Sequence, residues 1–215
     1  MRSKGTDDNR SFVSNARRAQ IVEAAIETIA DVGYANASLA RIAERLGISK
    51  GVISYHFSGK DDLIAEMVSQ VLQRARAYMQ RRLETQTTGP EILRTYIESN
   101  LEFMRDNPNQ LRAVVEIVRA TLAGAKSPFS GNRDGAVHIL AGLLTRFQAA
   151  GDFRADFDPN SMAIAIRAVI DAAPGRLADP SFDIDQYTRE AATVFHRATC
   201  VTASEGPPVT EPGRH

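Results

Sequence analysis

The chain of 215 residues is poor in cysteine, with Cys200 as its single example. One cysteine excludes an internal disulfide framework and any zinc site built on several cysteines. Because disulfide-stabilised secreted domains use many cysteines, the composition predicts an intracellular, cytoplasmic protein. Long apolar runs are lacking too, since the best candidate, 161–173, is interrupted by Arg167 and Asp171. A bilayer span needs roughly 18 or more apolar residues, so we expect no membrane partner.

Catalytic signatures are also missing. The sequence has no Gly-rich phosphate loop, no Gly-x-Ser-x-Gly turn and no His-Glu-x-x-His motif. Residues distant in sequence could still meet in space, but no local pattern indicates it. We therefore predict that the chain is not an enzyme and uses no metal or cofactor. The histidines, none of which pair at metal-binding spacing, are His56, His138, His196 and His215.

The net charge is zero, but the charges are unevenly distributed. The chain has 26 basic and 26 acidic residues, and residues 1–60 hold nine of the basic residues against six of the acidic ones. An excess of three can arise by chance. It nevertheless lies in the segment where the motif described next would need a phosphate-facing surface.

Residues 38–57 are predicted to form two short helices joined at Gly47. A glycine is the residue that most cheaply ends a helix in the left-handed conformation. Ser38 and Ser49 stand where each helix needs an N-cap, and Ile48 packs into the corner. The pattern is that of a helix-turn-helix, whose second helix enters the DNA major groove. The apolar edges that would hold the corner are Ile42, Ala43, Leu46, Val52 and Ile53.

The outward-facing side chains of the second helix favour DNA binding over simple packing. Spacing alone also fits any tight αα-hairpin in a helical domain. A hairpin that serves only packing, however, has no need for the polar and amphipathic set that this segment presents, with Lys60 following. That set is Ser49, Lys50, Ser54, Tyr55 and His56.

At these residues the chain resembles the TetR (tetracycline-repressor-like) family of transcriptional regulators. The resemblance is strongest over 38–63, where IAERLGISKGVISYHFSGKDDL is similar to the family's helix-turn-helix and the start of its fourth helix, and it extends more weakly to Arg17. Beyond residue 65 it rests on length and helical layout. Ser54 departs from the family pattern, since many members have a tyrosine there, and one DNA contact is thereby in doubt.

The resemblance implies an all-α protein of about nine helices, with an N-terminal three-helix DNA-binding domain and a C-terminal helical domain for ligand binding and dimerisation. We expect a disordered arm over 1–14, the DNA-binding domain over 15–59, the second domain over 60–202 and a disordered tail over 203–215. We assign phosphate contacts to Ser38, Arg41, Tyr55 and Lys60, and groove or base contacts to Lys50, Ser54 and His56. Ser49 and Gly51 complete the predicted DNA-binding set.

The remaining helices are predicted from their periodicity and breakers. The first helix is expected over 15–32, and a capping box of Ser58 and Asp61 should open a long helix that ends near Leu83. Later helices are expected over 90–106, 108–122, 136–150, 159–173 and 183–201, the third of them after a Gly-rich loop at 124–135.

Two of the C-terminal helices carry predictions about packing. The helix over 159–173 is apolar around its circumference, so we expect it to be buried on all sides and to be stopped by Pro174. The last helix repeats apolar residues at a strict three-four spacing. Together they suggest a two-fold four-helix interface, although packing within one chain fits the pattern equally well. The residues of the seam are Ile184, Tyr187, Ala191, Val194, Ala198 and Val201.

A ligand cavity between the helices is expected. Tyr96, Asn100, Phe103 and Met104 are the first-choice lining, with His138 as an addition; ordinary core packing, with Asn100 bonded to a backbone carbonyl, explains them as well. The sequence thus predicts a dimeric regulator that binds a palindromic operator in double-stranded DNA, acts as a repressor and is released by a small molecule of apolar character. The alternative is a helical ligand-binding or adaptor protein with a vestigial DNA-binding head.

Overall fold

The computed structural model describes residues 4–122, 130–177 and 179–201, and within these ranges every regular element is a helix. An antiparallel bridge between Phe153 and Cys200 joins the loop after the seventh helix to the end of the last. The all-α fold predicted from the sequence is confirmed. The helices are α1 (Lys4–Val32), α2 (Leu39–Arg45), α3 (Lys50–His56), α4 (Lys60–Leu83), α5 (Gly89–Asp106), α6 (Pro108–Leu122), α7 (Ser130–Ala150), α8 (Pro159–Arg176) and α9 (Ile184–Thr199).

Two helices begin earlier than the sequence suggested. α1 starts at Lys4 rather than near residue 15, so most of the segment assigned to an N-terminal arm is helical. α7 starts at Ser130, inside the segment assigned to a loop. Both extensions are polar and rich in glycine, serine or aspartate, so they carry no apolar period by which a helix could be recognised. The rest of the predicted loop, 124–129, and the predicted tail, 203–215, lie outside the described residues.

The N-terminal core is built from α1 to α4. Ile21, Ile29, Ile42 and Ile53 are fully buried in it, together with Met67 of α4. α6 also reaches this core, because Ala113 and Ile117 are buried against the same cluster. α1 is therefore packed both on the long helix α4 and on α6, while α2 packs on α1 and α3 packs on α2.

A second core lies among α5, α7, α8 and α9. Leu93, Ile97 and Leu101 of α5 are buried in it with Ile166 of α8 and Phe195 of α9. α4 packs on α5 and thus connects the two cores. With 24 residues and a rise of about 1.5 Å per residue, α4 spans about 36 Å.

The start of α4 differs from the prediction. Its N-cap position is Gly59, without a side-chain hydrogen bond. Ser58 pairs with Asp62 instead of Asp61, since its N–H and hydroxyl donate to Asp62 Oδ2 over 2.9 and 3.2 Å. The acceptor therefore lies one position further along the helix than a capping box predicts. α5 does begin with a full capping box, formed by Thr88 and Glu91.

α8 is not buried on all sides, contrary to the prediction. One stripe of it faces the core, whereas Ile164 is 51% exposed and the small residues around it are open to solvent. The helix also continues through Pro174 to Arg176. A proline in the last turn removes a single hydrogen bond, and its fixed φ suits a helix. Ile139 of α7 is an apolar residue within a helical apolar period, which predicts burial, but it is 72% exposed. The buried stripe of α8 is Ala163, Ile166, Ile170 and Ala173.

Among the described residues, no helix combines the length and apolarity needed to cross a membrane.

Candidate nucleic-acid interface and effector site

The corner between α2 and α3 forms from local interactions. The Ser38 hydroxyl accepts a hydrogen bond from the N–H of Arg41 over 3.2 Å, as an N-cap should. Gly47 has a φ of +63°, in the left-handed region that favours glycine. The N–H of Ile48 then donates to the carbonyl oxygen of Ala43 over 3.0 Å, which turns the chain into α3. The predicted helix-turn-helix geometry is confirmed.

Apolar contacts hold α3 in place from beneath. Ile53, in the middle of α3, is fully buried against Ile42 of α2, and Phe57 just after α3 is 2% exposed. Full burial of one such side chain stabilises the fold by about 1.5 to 3 kcal/mol, so these residues hold the corner in place. The opposite face of α3 is left to solvent.

The solvent face of α3 carries most of the predicted DNA-binding residues. Tyr55 is 83% exposed, an unusual position for a large aromatic ring, and it lies edge-on to His56 at 5.1 Å between ring centroids. Ser49 occupies the N-cap position of α3, but its side chain makes no capping hydrogen bond. Its hydroxyl is therefore left for other partners. The exposed members of the set are Ser38, Arg41, Ser49, Lys50, Gly51, Ser54 and Tyr55, whereas His56 is half-buried.

Arg18 of α1 ties the end of α3 to the core. Its Nη1 donates to the carbonyl oxygen of His56 over 2.5 Å, and its guanidinium lies 4.3 Å from the ring centroid of Phe57. Its Nη2 is 3.4 Å from Glu66 of α4. Arg18 thus joins three helices at the C-terminal end of α3, where the cation also suits the helix dipole. Its neighbour Arg17 is exposed.

Lys60 lies where the resemblance implies a phosphate contact, but it has internal partners. Its ammonium donates to the carbonyl oxygen of Tyr34 over 2.5 Å and lies 4.1 Å from the centroid of the Tyr34 ring. Burial lowers the pKa of Lys60, and the nearby Asp61 offsets part of that effect. Because an ammonium has three N–H donors, one bond to Tyr34 leaves capacity for a further acceptor.

A polar cluster joins α5 and α8 in the C-terminal part of the chain. Arg167 Nη1 donates to the Tyr96 hydroxyl oxygen over 3.1 Å and to Asn100 Oδ1 over 3.3 Å. Arg167 Nη2 pairs with Asp171 one turn later on α8. Asn100 also donates to the backbone carbonyl of Tyr96 over 2.7 Å, the bond that the core-packing interpretation predicted.

Arg167 is the charged group at the centre of this cluster. Its side chain is 14% exposed, and its Nε is a buried donor without an acceptor among the described residues. Burial on its own would lower the pKa of Arg167, but Tyr96 and Asp171 raise it, and the net effect is upward. The guanidinium therefore stays charged.

The other predicted ligand-lining residues do not share this site. Phe103 packs beside Tyr78, with 5.9 Å between ring centroids, and contacts the N-terminal core. Met104 packs against the C-terminal core. His138 is exposed on α7. The structure thus brings Tyr96 and Asn100 together and separates them from Phe103 and His138.

An open cleft of about 390 Å³ lies between the C-terminal half of α4 and α5, with Tyr96 in its wall. Met79 and Leu83 provide apolar lining, while Arg76 and Glu84 bring one charge of each sign. Tyr96 is therefore shared by the cleft and the Arg167 cluster. The described residues contain no group of three or more His, Cys, Asp or Glu that could hold a metal ion.

Sequence reasoning missed two residues that organise these sites. No sequence pattern indicates the internal role of Arg18, because an arginine in the first turn of a predicted helix is usually solvated. Arg167 was read only as an interruption of an apolar helix. An arginine within an otherwise apolar segment was the available signal, since charged groups are rarely buried without partners.

The N-terminal half of the chain is similar in sequence to known bacterial regulators. A family model described as bacterial regulatory proteins, tetR family, matches residues 21–67, which include the helix-turn-helix. The HTH-type transcriptional regulator BetI 1 of Chromohalobacter salexigens is 38% identical over 97 residues, which cover 45% of this chain and 48% of that protein. The HTH-type transcriptional activator FasR of Mycolicibacterium smegmatis is 31% identical over 100 residues, 46% of each chain. The chain thus spans about half the length of these curated relatives.

Solved structures extend the similarity of fold over most of the chain. A putative transcriptional regulator from Saccharomonospora viridis, in complex with choline, superposes with a TM-score of 0.77 at 22% identity and covers 87% of this chain and all of its own. A putative TetR-family transcriptional regulator from Rhodococcus sp. gives a TM-score of 0.73 at 21% identity, over 84% and 99% of the two chains.

Proposed function

We propose that the chain is a member of the TetR family of bacterial regulatory proteins and acts as a ligand-responsive repressor that binds a palindromic operator as a homodimer, since residues 21–67, which include the helix-turn-helix, match the family model. The observation that carries the proposal is the solvent-exposed polar face of α3, held outward by the buried Ile42 and Ile53. A regulator of this kind acts by binding, so the proposal includes no enzymatic activity.

The α3 face suits the major groove. Lys50, Ser54 and Tyr55 form its exposed side, with one cation, one small hydroxyl and one amphipathic ring. We assign Lys50, Ser54 and His56 to the groove wall or base edges, and Ser38, Arg41, Tyr55 and Lys60 to phosphates. Ser38 and Arg41 lie at the start of α2, where free N–H groups also favour a phosphate. Ser49 and Gly51, at the start of α3, let the backbone approach the DNA.

Dimerisation is supported by apolar side chains that the single chain leaves uncovered on α8 and α9. Ile164 of α8 is 51% exposed, Val194 of α9 is 56% exposed and Val201 just beyond α9 is 58% exposed. Small residues on the exposed side of α8 would let a second copy approach closely. Two copies of α8 and α9 would form a four-helix interface and present two α3 helices about one DNA turn apart, which is the geometry that a palindromic site requires.

The two cores suggest that DNA binding and effector binding belong to different groups of helices. We assign α1 to α3 to DNA reading, and the segment from α4 to α9 to effector binding and dimerisation. Effector binding would shift α4, and with it the distance between the two α3 helices. The buried Ala113 and Ile117 of α6 offer a second mechanical link to the DNA-binding core. A coupling of about 1 to 3 kcal/mol between the two sites would change DNA affinity by about 5- to 150-fold.

An electrophoretic mobility shift with DNA from upstream of the chain's own gene tests the proposal. We expect a discrete complex in the presence of competitor DNA, and an affinity that falls as salt rises, because bound phosphates release counterions. Lys50→Ala should weaken the complex, whereas Lys4→Ala, at the far end of α1, serves as the control for a lost positive charge. Absent binding, or binding that salt does not change, would favour the adaptor alternative. A reporter fused to the same DNA separates repression from the activation that the name of FasR describes.

A further inference from the structure

The Arg167 cluster is more than a packing feature because one of its members, Tyr96, also lines the open cleft beside α4. A guanidinium has five N–H groups. Those on Nη1 and Nη2 bond to Tyr96, Asn100 and Asp171, but the buried Nε has no acceptor among the described residues. A buried donor left unpaired costs about 1 to 3 kcal/mol, so the described residues do not fully satisfy the guanidinium.

Tyr96 supplies a second donor. Its hydroxyl oxygen accepts from Arg167, and within the described part of the chain no acceptor takes its own proton. A hydroxyl that accepts a bond from a cation becomes a stronger donor, because hydrogen bonds in a chain polarise one another. Tyr96 also lies in the wall of the cleft between α4 and α5. Its hydroxyl is therefore a donor that joins the Arg167 cluster to a cleft whose other polar lining is Arg76, Gln80 and Glu84.

We propose that Arg167 and Tyr96 form the polar end of the effector site and select a ligand with an apolar chain that ends in a carboxylate. This inference rests on the proposed function and specifies the chemical class of its effector. The carboxylate oxygen accepts from the Tyr96 hydroxyl, and the positive charge of Arg167 stabilises it from behind. The apolar chain lies along Met79 and Leu83.

The charge of Arg167 excludes the opposite class of ligand. A quaternary ammonium such as choline, the ligand in the Saccharomonospora viridis structure, would place a cation against a buried guanidinium. The trimethylammonium group of such a ligand has no hydrogen-bond acceptor for the Tyr96 hydroxyl. Asp171 does not reverse this preference, because its carboxylate is already paired with Nη2 of Arg167. The charge of Arg167 therefore favours an anionic ligand over a cationic one such as choline.

The position of the cleft couples occupancy to DNA binding. It is walled by α4 through Met79, Gln80 and Leu83 and by α5 through Tyr96. A chain inserted between these helices changes their spacing at the C-terminal end of α4, and the N-terminal end of α4 carries Lys60 beside the DNA-binding corner. Arg167 lies on α8 and bonds to Tyr96 and Asn100 of α5. Because α8 is part of the proposed dimer interface, a ligand that moves Tyr96 would also affect that interface.

The test uses the full-length protein and three probes of equal chain length: decanoate, decan-1-ol and decylamine, with choline as a fourth. Isothermal titration calorimetry below the micelle concentration of each probe measures binding. We expect decanoate to bind at least tenfold more tightly than the alcohol and the amine, and choline not to bind. Equal binding of decanoate and decylamine, or tighter binding of choline, would overturn the proposal.

Variants locate the site. Tyr96→Phe removes one hydroxyl and keeps the ring, so it should weaken decanoate binding about tenfold while leaving decanol binding unchanged. Arg167→Gln should abolish the preference for the carboxylate, and Arg119→Gln, which changes an exposed arginine of α6, is the matched control. Unchanged decanoate binding by both Tyr96→Phe and Arg167→Gln would show that the site lies elsewhere.

DNA binding separates this inference from the proposed function. With the upstream DNA bound, decanoate should release the wild-type protein but not Tyr96→Phe. A protein that binds the DNA yet shows no selectivity for decanoate keeps the proposed function and loses this inference. A protein that binds decanoate selectively but binds no DNA keeps this inference about the ligand and loses the proposed function.

Discussion

Lys60, at the start of α4, donates a hydrogen bond to the backbone carbonyl oxygen of Tyr34 and stacks on the ring of the same residue, 4.1 Å from its centroid. This pair links the loop after α1 to the first turn of α4. A residue that the resemblance implies to be a phosphate contact therefore also stabilises the corner that presents α3.

Lys60→Ala should consequently change two quantities. Loss of the charged hydrogen bond and the cation–π contact should lower the free energy of unfolding by about 1 to 2 kcal/mol, as measured by urea denaturation. If Lys60 also contacts a phosphate, the slope of log K against log salt should become shallower by about one unit. Lys50→Ala, at an exposed position, should change the slope without changing stability. An unaltered slope for Lys60→Ala would limit its role to folding.

Tyr55→Ala tests the exposed ring of α3. Surface substitutions away from packed features change stability by about 0.5 kcal/mol or less, so its unfolding curve should match that of the wild type. DNA affinity, measured by fluorescence anisotropy, should fall about tenfold, because the ring is 83% exposed and so is open to the DNA, with His56 as its aromatic neighbour. Ile139→Ala, which removes a large side chain of similar exposure from α7, is the control for the loss of an exposed apolar group. A Tyr55→Ala protein that binds DNA normally would remove this residue from the interface.

Arg18→Ala tests a positioning role. Arg18 bonds to the carbonyl of His56 and covers the ring of Phe57, so its loss should loosen the end of α3 and weaken DNA binding about tenfold. Because this guanidinium is engaged within the protein, the salt slope should stay the same. Arg17→Ala is the neighbouring exposed control. A shallower salt slope for Arg18→Ala would instead make it a phosphate contact.

Val194→Glu tests the proposed dimer. In a two-fold interface, the carboxylate that this change adds to one copy would lie close to the equivalent carboxylate of the other copy. Like charges repel, so the interface would be weakened. We expect sedimentation equilibrium to show a monomer at concentrations at which the wild type is a dimer. Val13→Glu changes an equally exposed valine on α1 and should leave the oligomeric state intact. A dimer that survives Val194→Glu would place the interface elsewhere.

Acid titration tests the start of α5. The Thr88 hydroxyl, with the backbone N–H groups of Thr88 and Thr87, lowers the pKa of Glu91 below its ordinary value of 4.5. A lowered folded-state pKa stabilises the fold above pH 4.5, and this contribution disappears as the pH falls through the folded-state value. Glu91→Gln should therefore be less stable than the wild type at pH 7 and should lose that disadvantage at pH 3. Glu190→Gln, exposed on α9, should show no such convergence.

The helix-turn-helix could be predicted because its determinants are local. Ser38, Gly47 and Ile53 each act within a few residues of their own position, and a cap, a left-handed glycine and an apolar edge leave clear marks in a sequence. The same holds for Pro90 and Pro108, which lie in the first turns of α5 and α6.

The effector site could be predicted only in part because its partners come from distant segments. Tyr96 and Arg167 are 71 residues apart and meet through the packing of α5 on α8. The periodicity of α8 likewise did not reveal which apolar face the chain covers. Ile164 and Ile166 are chemically alike, and only the placement of neighbouring helices leaves the first exposed and the second buried.

The most direct test of the DNA-binding account is selection of bound sequences from a random DNA pool with the full-length protein. We expect enrichment of a palindrome whose half-sites lie about one helical turn, roughly 10 base pairs, apart, and loss of that enrichment for a Lys50→Ala, Tyr55→Ala double variant that unfolds normally. A pool without enriched sequences, or the same palindrome selected by the double variant, would contradict the role of α3.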